Sequence, residues 1–501
     1  MTRALLFAVL VKALGCIDES AAVAGACVET EVESLLQRPA SVRDQILHIV
    51  DFREALTRIS VSDELLALKR RFVNYYREVG AHIKHSVHTD LGQTVDCIPF
   101  LKQPALLWAG EALKKEAVAL LARSRGDVED AAGEQEANEE QEPAERYGCG
   151  PDEVPLPRPS LQALRRGLVE EFRKTGSPTG GLWPSARGHH GSALLQVGKD
   201  DCRTIRPPHP GPPNHTYSTS PICKTHGSRT AFAAFEIGAL PEVPSSGGHT
   251  LNQMWWKGVP PESKLPVSLE AGWLTTDLTG ISDARSSQSI GTRLFVYSTP
   301  NAYLPRDDCQ GGNGFDHWGG FVQYPGGPAL GVYTVNKLRS VFLYKIVGST
   351  EGMPERLEFY LAKLGKDYGK PRSVASTRHL VGYWPKSHFC HGFPKHEDLL
   401  LYTGLEVFVP SQCPGMPRTA SGRILGWGTE WNAGDPDFYP MLKDDGSAAV
   451  FLATAKQEWQ ASVGYNQEWK APFVDFSGTY RPVSCVVPGT LPCEDITCPG
   501  P

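Results

Sequence analysis

Hydrophobic positions give the chain two textures. Over residues 40–123 they recur at three- and four-residue spacing, the period of a helix with one apolar face. Leu65, Leu68, Phe72, Tyr76 and Val79 form the clearest stripe, and Ser62 stands where a capping residue would start it. Ser41 with Asp44 gives a weaker start before Ile46, Leu47 and Val50. Residues 104–122 form a third helical stretch, with Pro104 at its entrance. After about Thr230 the pattern changes to short alternating or apolar runs between Gly/Pro turns. Examples are Thr292–Tyr297, Ala329–Thr334, Ser340–Ile346 and Leu399–Val409. Many short strands with such punctuation predict a mainly β protein: an antiparallel β-sandwich domain preceded by a partly helical N-terminal domain.

Composition agrees with that division. The 50 glycines and 40 prolines leave little room for long regular helices in the second half. A hydrophobic fraction of 41% and a charged fraction of 21% exclude wholesale disorder, and 501 residues call for more than one cooperative unit. No apolar run reaches the roughly 18 residues of a membrane span. The net charge of −6 is no footprint for nucleic acid.

That charge is concentrated. Asp127–Glu145 holds nine acidic residues and no Lys or Arg. Like charges repel and cannot bury a core, so residues 127–146 read as an exposed acidic linker, with a solvated polar helix as the alternative. It separates an N-terminal region, 27–126, from a Gly/Pro/His-rich connector, 147–228. A β domain follows at 229–486, then a Cys/Pro tail at 487–501. Residues 1–26 read as a secretory signal: Arg3 precedes the apolar run Ala4–Val11, and Ala24-Gly-Ala26 is a small-residue cleavage site. Twelve cysteines fit the oxidising compartment this implies, and Asn214-His-Thr216 is a glycosylation sequon.

Several common chemistries are absent. There is no H-E-x-x-H, no G-x-S-x-G and no P-loop, and Asp475-Phe-Ser-Gly478 has the wrong spacing for an aspartic signature. His388-Phe-Cys390-His391 lacks a second ligand pair and reads as structural, so no metal is expected. His82, His85 and His88 recur every three residues, read as a solvated helix face, with acid sensing as the sharper alternative.

Two carboxylates stand in strand-like runs. In Pro266–Trp273, alternation puts Val267, Leu269, Ala271 and Trp273 on one face and Glu270 on the other, between Ser268 and Gly272. In Leu399–Val409, Leu401, Leu405, Val407 and Val409 share a face, while Glu406 points the opposite way, flanked by Tyr402 and Phe408. On the pattern alone, solvent-facing glutamates are the better reading.

Residues 265–410 resemble the neprosin family of secreted glutamic peptidases. The carrying motifs are Glu270-Ala-Gly-Trp273, Leu294-Phe-Val-Tyr-Ser-Thr-Pro-Asn-Ala-Tyr303, Gly320–Gln323 and Val381–Pro385. Thr403-Gly-Leu-Glu-Val407 and Leu425-Gly-Trp-Gly428 match more loosely, and Gln253-Met-Trp255 resembles an upstream family strand. Val95-Asp-Cys97, Gln103-Pro-Ala105 and Cys149–Arg158 are similar to the family's propeptide. The resemblance implies a β-sandwich endopeptidase cleaving after proline at acid pH. It would be secreted as a zymogen, act as a monomer, and use no cofactor. It implies Glu270 and Glu406 as catalytic, and Trp273, Tyr303 and Tyr402 as substrate-binding. The partners implied are Pro-containing peptides and the chain's own propeptide. Thr403 stands where the family has Trp, Leu405 where it has its second Gly, and Cys309 lacks its nearby partner. A carbohydrate-active sandwich, which also uses paired carboxylates, and a non-catalytic binding protein are the alternatives.

Overall fold

The computed structural model describes residues 40–107, most of 111–122, 147, 149–174, 249–260, 265–277, 290–301, 303, 313–334, 339–347, 355–363, 378–389, 392–393 and 399–408, together with the further strands between Cys202 and Tyr480. The expected signal segment 1–26, the acidic residues 127–146, the sequon Asn214 and the tail 487–501 lie outside the described residues.

Two helices open the N-terminal unit, α1 (Ala40–Arg58) and α2 (Asp63–Val79). The apolar stripe of α2 is buried at Leu65, Phe72, Tyr76 and Val79, as its spacing predicts. Asp63 and Glu64 lie in its first turn, where the helix dipole favours negative charge. Ser62 occupies the cap position with extended backbone, but its side chain makes no cap bond. The helical expectation over 40–123 fails between two of the helices, where the chain forms β1 (His85–His88) and β2 (Thr94–Pro99). β2 is satisfied by β3 (Glu153–Pro157), more than fifty residues later, a partner no local pattern reveals. His82, His85 and His88 therefore share no helix face. His82 ends a 3-10 turn, and on β1 the Nε2 of His85 lies 3.1 Å from Cys97 Sγ. Helix α3 (Pro104–Leu107) begins at its expected proline. Helix α4 (Leu161–Arg165) is capped by Ser160 Oγ, which accepts from the Ala163 amide at 3.0 Å.

A buried network ties this unit together. Arg158 donates twice to Asp96, at 2.5 and 3.0 Å, and Tyr76 donates its hydroxyl to the same carboxylate at 3.2 Å. A disulfide joins Cys97 on β2 to Cys149, 52 residues later. The acidic stretch therefore leaves and re-enters the same unit. The sequence spanned by this disulfide includes the acidic residues 127–146. A closed loop of this length restrains the unfolded chain by about 4 kcal/mol in the chain-entropy model. Proteolysis confined to the acidic stretch is expected to leave both flanks joined, the fragments separating on electrophoresis only after reduction.

The remaining strands are β4 (Cys202–Arg203), β5 (His215–Thr219), β6 (Ile222–Lys224), β7 (Thr230–Glu236), β8 (His249–Gly258), β9 (Val267–Asp277), β10 (Ile290–Thr299), β11 (Gly314–Phe315), β12 (Val322–Gln323), β13 (Tyr333–Thr334), β14 (Arg339–Val347), β15 (Arg356–Lys363), β16 (Arg378–Pro385), β17 (Leu400–Phe408), β18 (Arg418–Gly428), β19 (Phe451–Leu452), β20 (Glu458–Asn466) and β21 (Ala471–Tyr480). They form two antiparallel sheets, neither closed. One runs β11-β10-β9-β8-β17-β5-β19, with β13, β6 and β4 at its margins; the other runs β12-β16-β15-β14-β7-β18-β21-β20. Of the run Ala329–Thr334, only the last two residues form a strand, because Gly331 turns the chain at φ 72°.

One apolar cluster draws on both sheets. Met254, Trp256, Leu269, Ala271, Trp273, Val296 and Leu401 come from the first, and Ala231, Ala233, Phe359, Val381 and Trp384 from the second. The N-terminal unit docks through two glutamine side chains that imitate strand partners. Gln103 donates to the Gln323 carbonyl and accepts from its amide, both at 2.8 Å. Gln93 does the same between Gly331 O and Tyr333 N, both at 2.9 Å. Phe72 and Tyr75 of α2 pack edge-on against Trp318.

Candidate active site

Three adjacent strands build the site, with β8 between β9 and β17. Trp255 lies opposite Glu270 on one side and opposite Tyr402 on the other. Strand alternation then puts Gln253, Trp255, Lys257, Ser268, Glu270, Tyr402 and Glu406 on the face away from the two-sheet core. Both glutamates are fully buried there, since the N-terminal unit covers them.

The cover contributes a buried cation. Lys174 follows the 3-10 turn Val169–Glu171, and its carbonyl accepts from the Tyr297 hydroxyl at 3.1 Å. Its Nζ donates to Glu270 Oε2 at 2.5 Å, to Glu406 Oε2 at 2.6 Å and to Gln253 Oε1 at 3.1 Å. It also lies 5.6 Å from the centre of the Trp255 ring. Burial works against the ammonium, yet the two carboxylates hold its pKa above the ordinary lysine value. Nothing in Phe172-Arg-Lys174 signals this role: the segment is short and polar, without periodicity.

Each carboxylate has further partners. Glu406 Oε2 accepts from Gln253 Nε2 at 2.5 Å. Glu270 Oε1 accepts from Ser268 Oγ at 3.1 Å and from the Tyr303 hydroxyl. Tyr303 adopts φ 64°, unusual for an aromatic residue, held by its amide bond to Thr299 Oγ1 at 2.7 Å and by stacking on Tyr297. Tyr402 stacks on Trp255 at 4.9 Å. Buried lysine Lys257 points its Nζ at the rings of both Tyr303 and Tyr402.

The structure thus brings Glu270, Glu406, Tyr303 and Tyr402 together but separates Trp273 from them. Trp273 lies on the opposite face of β9, 4% exposed within the two-sheet core. Its expected place at the substrate is corrected by the same alternation that turns Glu270 toward Lys174. Thr403 also lies on the core side, where its hydroxyl donates to the Gln253 carbonyl at 3.0 Å and secures the strand carrying that residue. Gly272 cannot be replaced without displacing β8, because a Cβ there would come within 1.9 Å of the Asn252 carbonyl oxygen. Gly272→Ala is expected to lower stability by about 3 kcal/mol, read as a lower denaturation midpoint.

Among the described residues, the only three-residue group with metal-ligand atoms is His85, Cys97 and Cys149, and its two sulfurs are bonded to each other. His388 pairs its Nε2 with Ser298 Oγ at 2.8 Å, while Cys390 and His391 lie outside the described residues. A cavity of about 210 Å³ lies between the N-terminal unit and the sheet, beside Arg158, Glu171, Arg293, Asp316 and His317, and neither glutamate lines it. No helix among the described residues is long and apolar enough to cross a membrane. No family model matches the chain, and no curated protein matches it.

Proposed function

We propose that the protein is a secreted glutamic endopeptidase of neprosin type, in its latent form, with Glu270 and Glu406 as the reacting pair. The observation that carries this reading is the convergence of the two carboxylates on one buried nitrogen. Two acids placed to grip a single ammonium are also placed to handle one water molecule and one peptide bond. Two antiparallel sheets sharing a core support the sandwich architecture.

With Lys174 withdrawn, the carboxyls face each other without the ammonium that bridges them. Like charges at that separation cannot both persist, so the pair holds one proton between them. The ionised member takes a proton from water, whose oxygen bonds to the scissile carbonyl carbon. The protonated member donates to the oxyanion and then to the leaving nitrogen as the C–N bond breaks. Tyr303 and Gln253, already bonded to the two carboxylates, keep them aimed. The scheme needs neither metal nor cofactor. Cleavage after proline follows from the family resemblance, and the aromatic walls Trp255, Tyr303 and Tyr402 suit a ring-bearing side chain.

Latency follows from occupancy. The ammonium of Lys174 fills the space where water would be activated, so the inhibitory segment includes residue 174, which falls in the connector 147–228. Digestion of a peptide library at acid pH, read by mass spectrometry, tests the activity. Cuts after proline are expected; release of reducing sugar from glycans without peptide cleavage overturns the reading.

A further inference from the structure

We propose that Lys257 is a positioning residue of this site, fixing Tyr303 and Tyr402 beside the two glutamates and setting the pH range in which the pair keeps a single proton. The inference rests on the peptidase reading above. Lys257 lies on β8 in the same row as Gln253 and Trp255, on the face away from the two-sheet core, opposite Ser268 on β9 and Leu400 on β17. It is 3% exposed. Its Nζ sits 5.3 Å from the centre of the Tyr303 ring and 5.7 Å from that of Tyr402. Tyr303 bonds Glu270, and Tyr402 shares a strand and a face with Glu406. One ammonium therefore steadies an aromatic wall beside each carboxylate.

Among the described residues, charged groups facing Lys257 are Glu270 on β9, Glu406 on β17 and Lys174 on the covering segment. Burial lowers its pKa to about 7; the two carboxylates favour its charge and Lys174 opposes it. Withdrawal of Lys174 removes that opposition, so Lys257 binds its proton more firmly. The positive charge of the site then belongs to the sheet itself. A fixed cation beside the pair favours the ionised forms and lowers both apparent pKa values of the dyad.

The test compares the activated full chain with K257Q and K257R, using the pH profile of kcat/KM on a Pro-containing fluorogenic peptide. In K257Q both limbs are expected to move up by about 0.5–1 pH unit, with kcat falling about tenfold, while K257R keeps the wild-type position. An active K257Q with an unmoved profile overturns the proposal. If K257Q does not fold, K257M, which preserves the apolar stem, replaces it. A second readout needs no turnover. Glutamate labelled with 13C at Cδ is titrated by NMR in the K174A background, with E270Q and E406Q identifying the signals. Higher carboxyl midpoints on removing Lys257 support the proposal, and equal midpoints overturn it. If the midpoints move but wild-type protein cleaves no peptide, the peptidase reading alone fails.

Discussion

Glu270→Gln abolishes peptide cleavage by the activated protein while leaving it folded, and Glu406→Gln does the same; turnover is expected to fall by about 10³-fold or more in each. The substitution preserves shape but removes the ability to take or hold a proton. In the closed form each amide can still turn its oxygen toward the Lys174 ammonium, so folding should survive. Because the two carboxyls act as a unit, the double variant should be no worse than either single one. Full activity of either variant at any pH removes the dyad assignment.

Lys174→Ala should release the latent form without processing. Breaking a buried charge cluster by removing one member costs about 3–5 kcal/mol, because the remaining charges stay buried without compensation. Here the cost falls on the closed form alone, where Glu270 and Glu406 would face each other across an empty space. The covering segment should then leave the site about 10²–10⁴-fold more readily. The expected result is peptide cleavage by the unprocessed variant at a mildly acid pH at which the wild-type chain is still latent, with electrophoresis confirming that the chain is intact. A variant as latent as wild type removes Lys174 from the mechanism.

The direction of the wild-type pH dependence follows from the same contacts. A lysine whose pKa is raised on folding contributes stability below its ordinary value and loses it only as pH rises through the raised one. Lys174 therefore remains charged throughout the acid range and cannot itself open the site there. Opening in acid has to come from the carboxylates, each of which surrenders one ion pair on taking a proton. The unprocessed wild-type chain should thus gain activity as pH falls through both the opening of the site and the titration of the pair, while the Lys174→Ala chain should keep only the second dependence.

Much of the site was legible along single strands. Alternation in Pro266–Trp273 and Leu399–Val409 turned Glu270 and Glu406 away from the apolar rows, and it placed Trp273 in the core against the family-based expectation. The α2 stripe was legible for the same reason, since helix period and strand period are set by local backbone geometry. The sheet β1-β2-β3 was not, because its pairing joins segments on either side of the acidic loop.

By itself, then, the sequence determined which side of each strand its glutamate occupies and where helical texture yields to strands. Only the tertiary structure decided that the two glutamates meet. That depends on β9 and β17 both pairing with β8, an order set by non-local hydrogen bonds and packing. It also decided that Lys174 lies between them, a residue with no local mark at all. The physical reason is that side-chain direction is a covalent consequence of the strand, whereas the charge a carboxylate can hold depends on what packs over it.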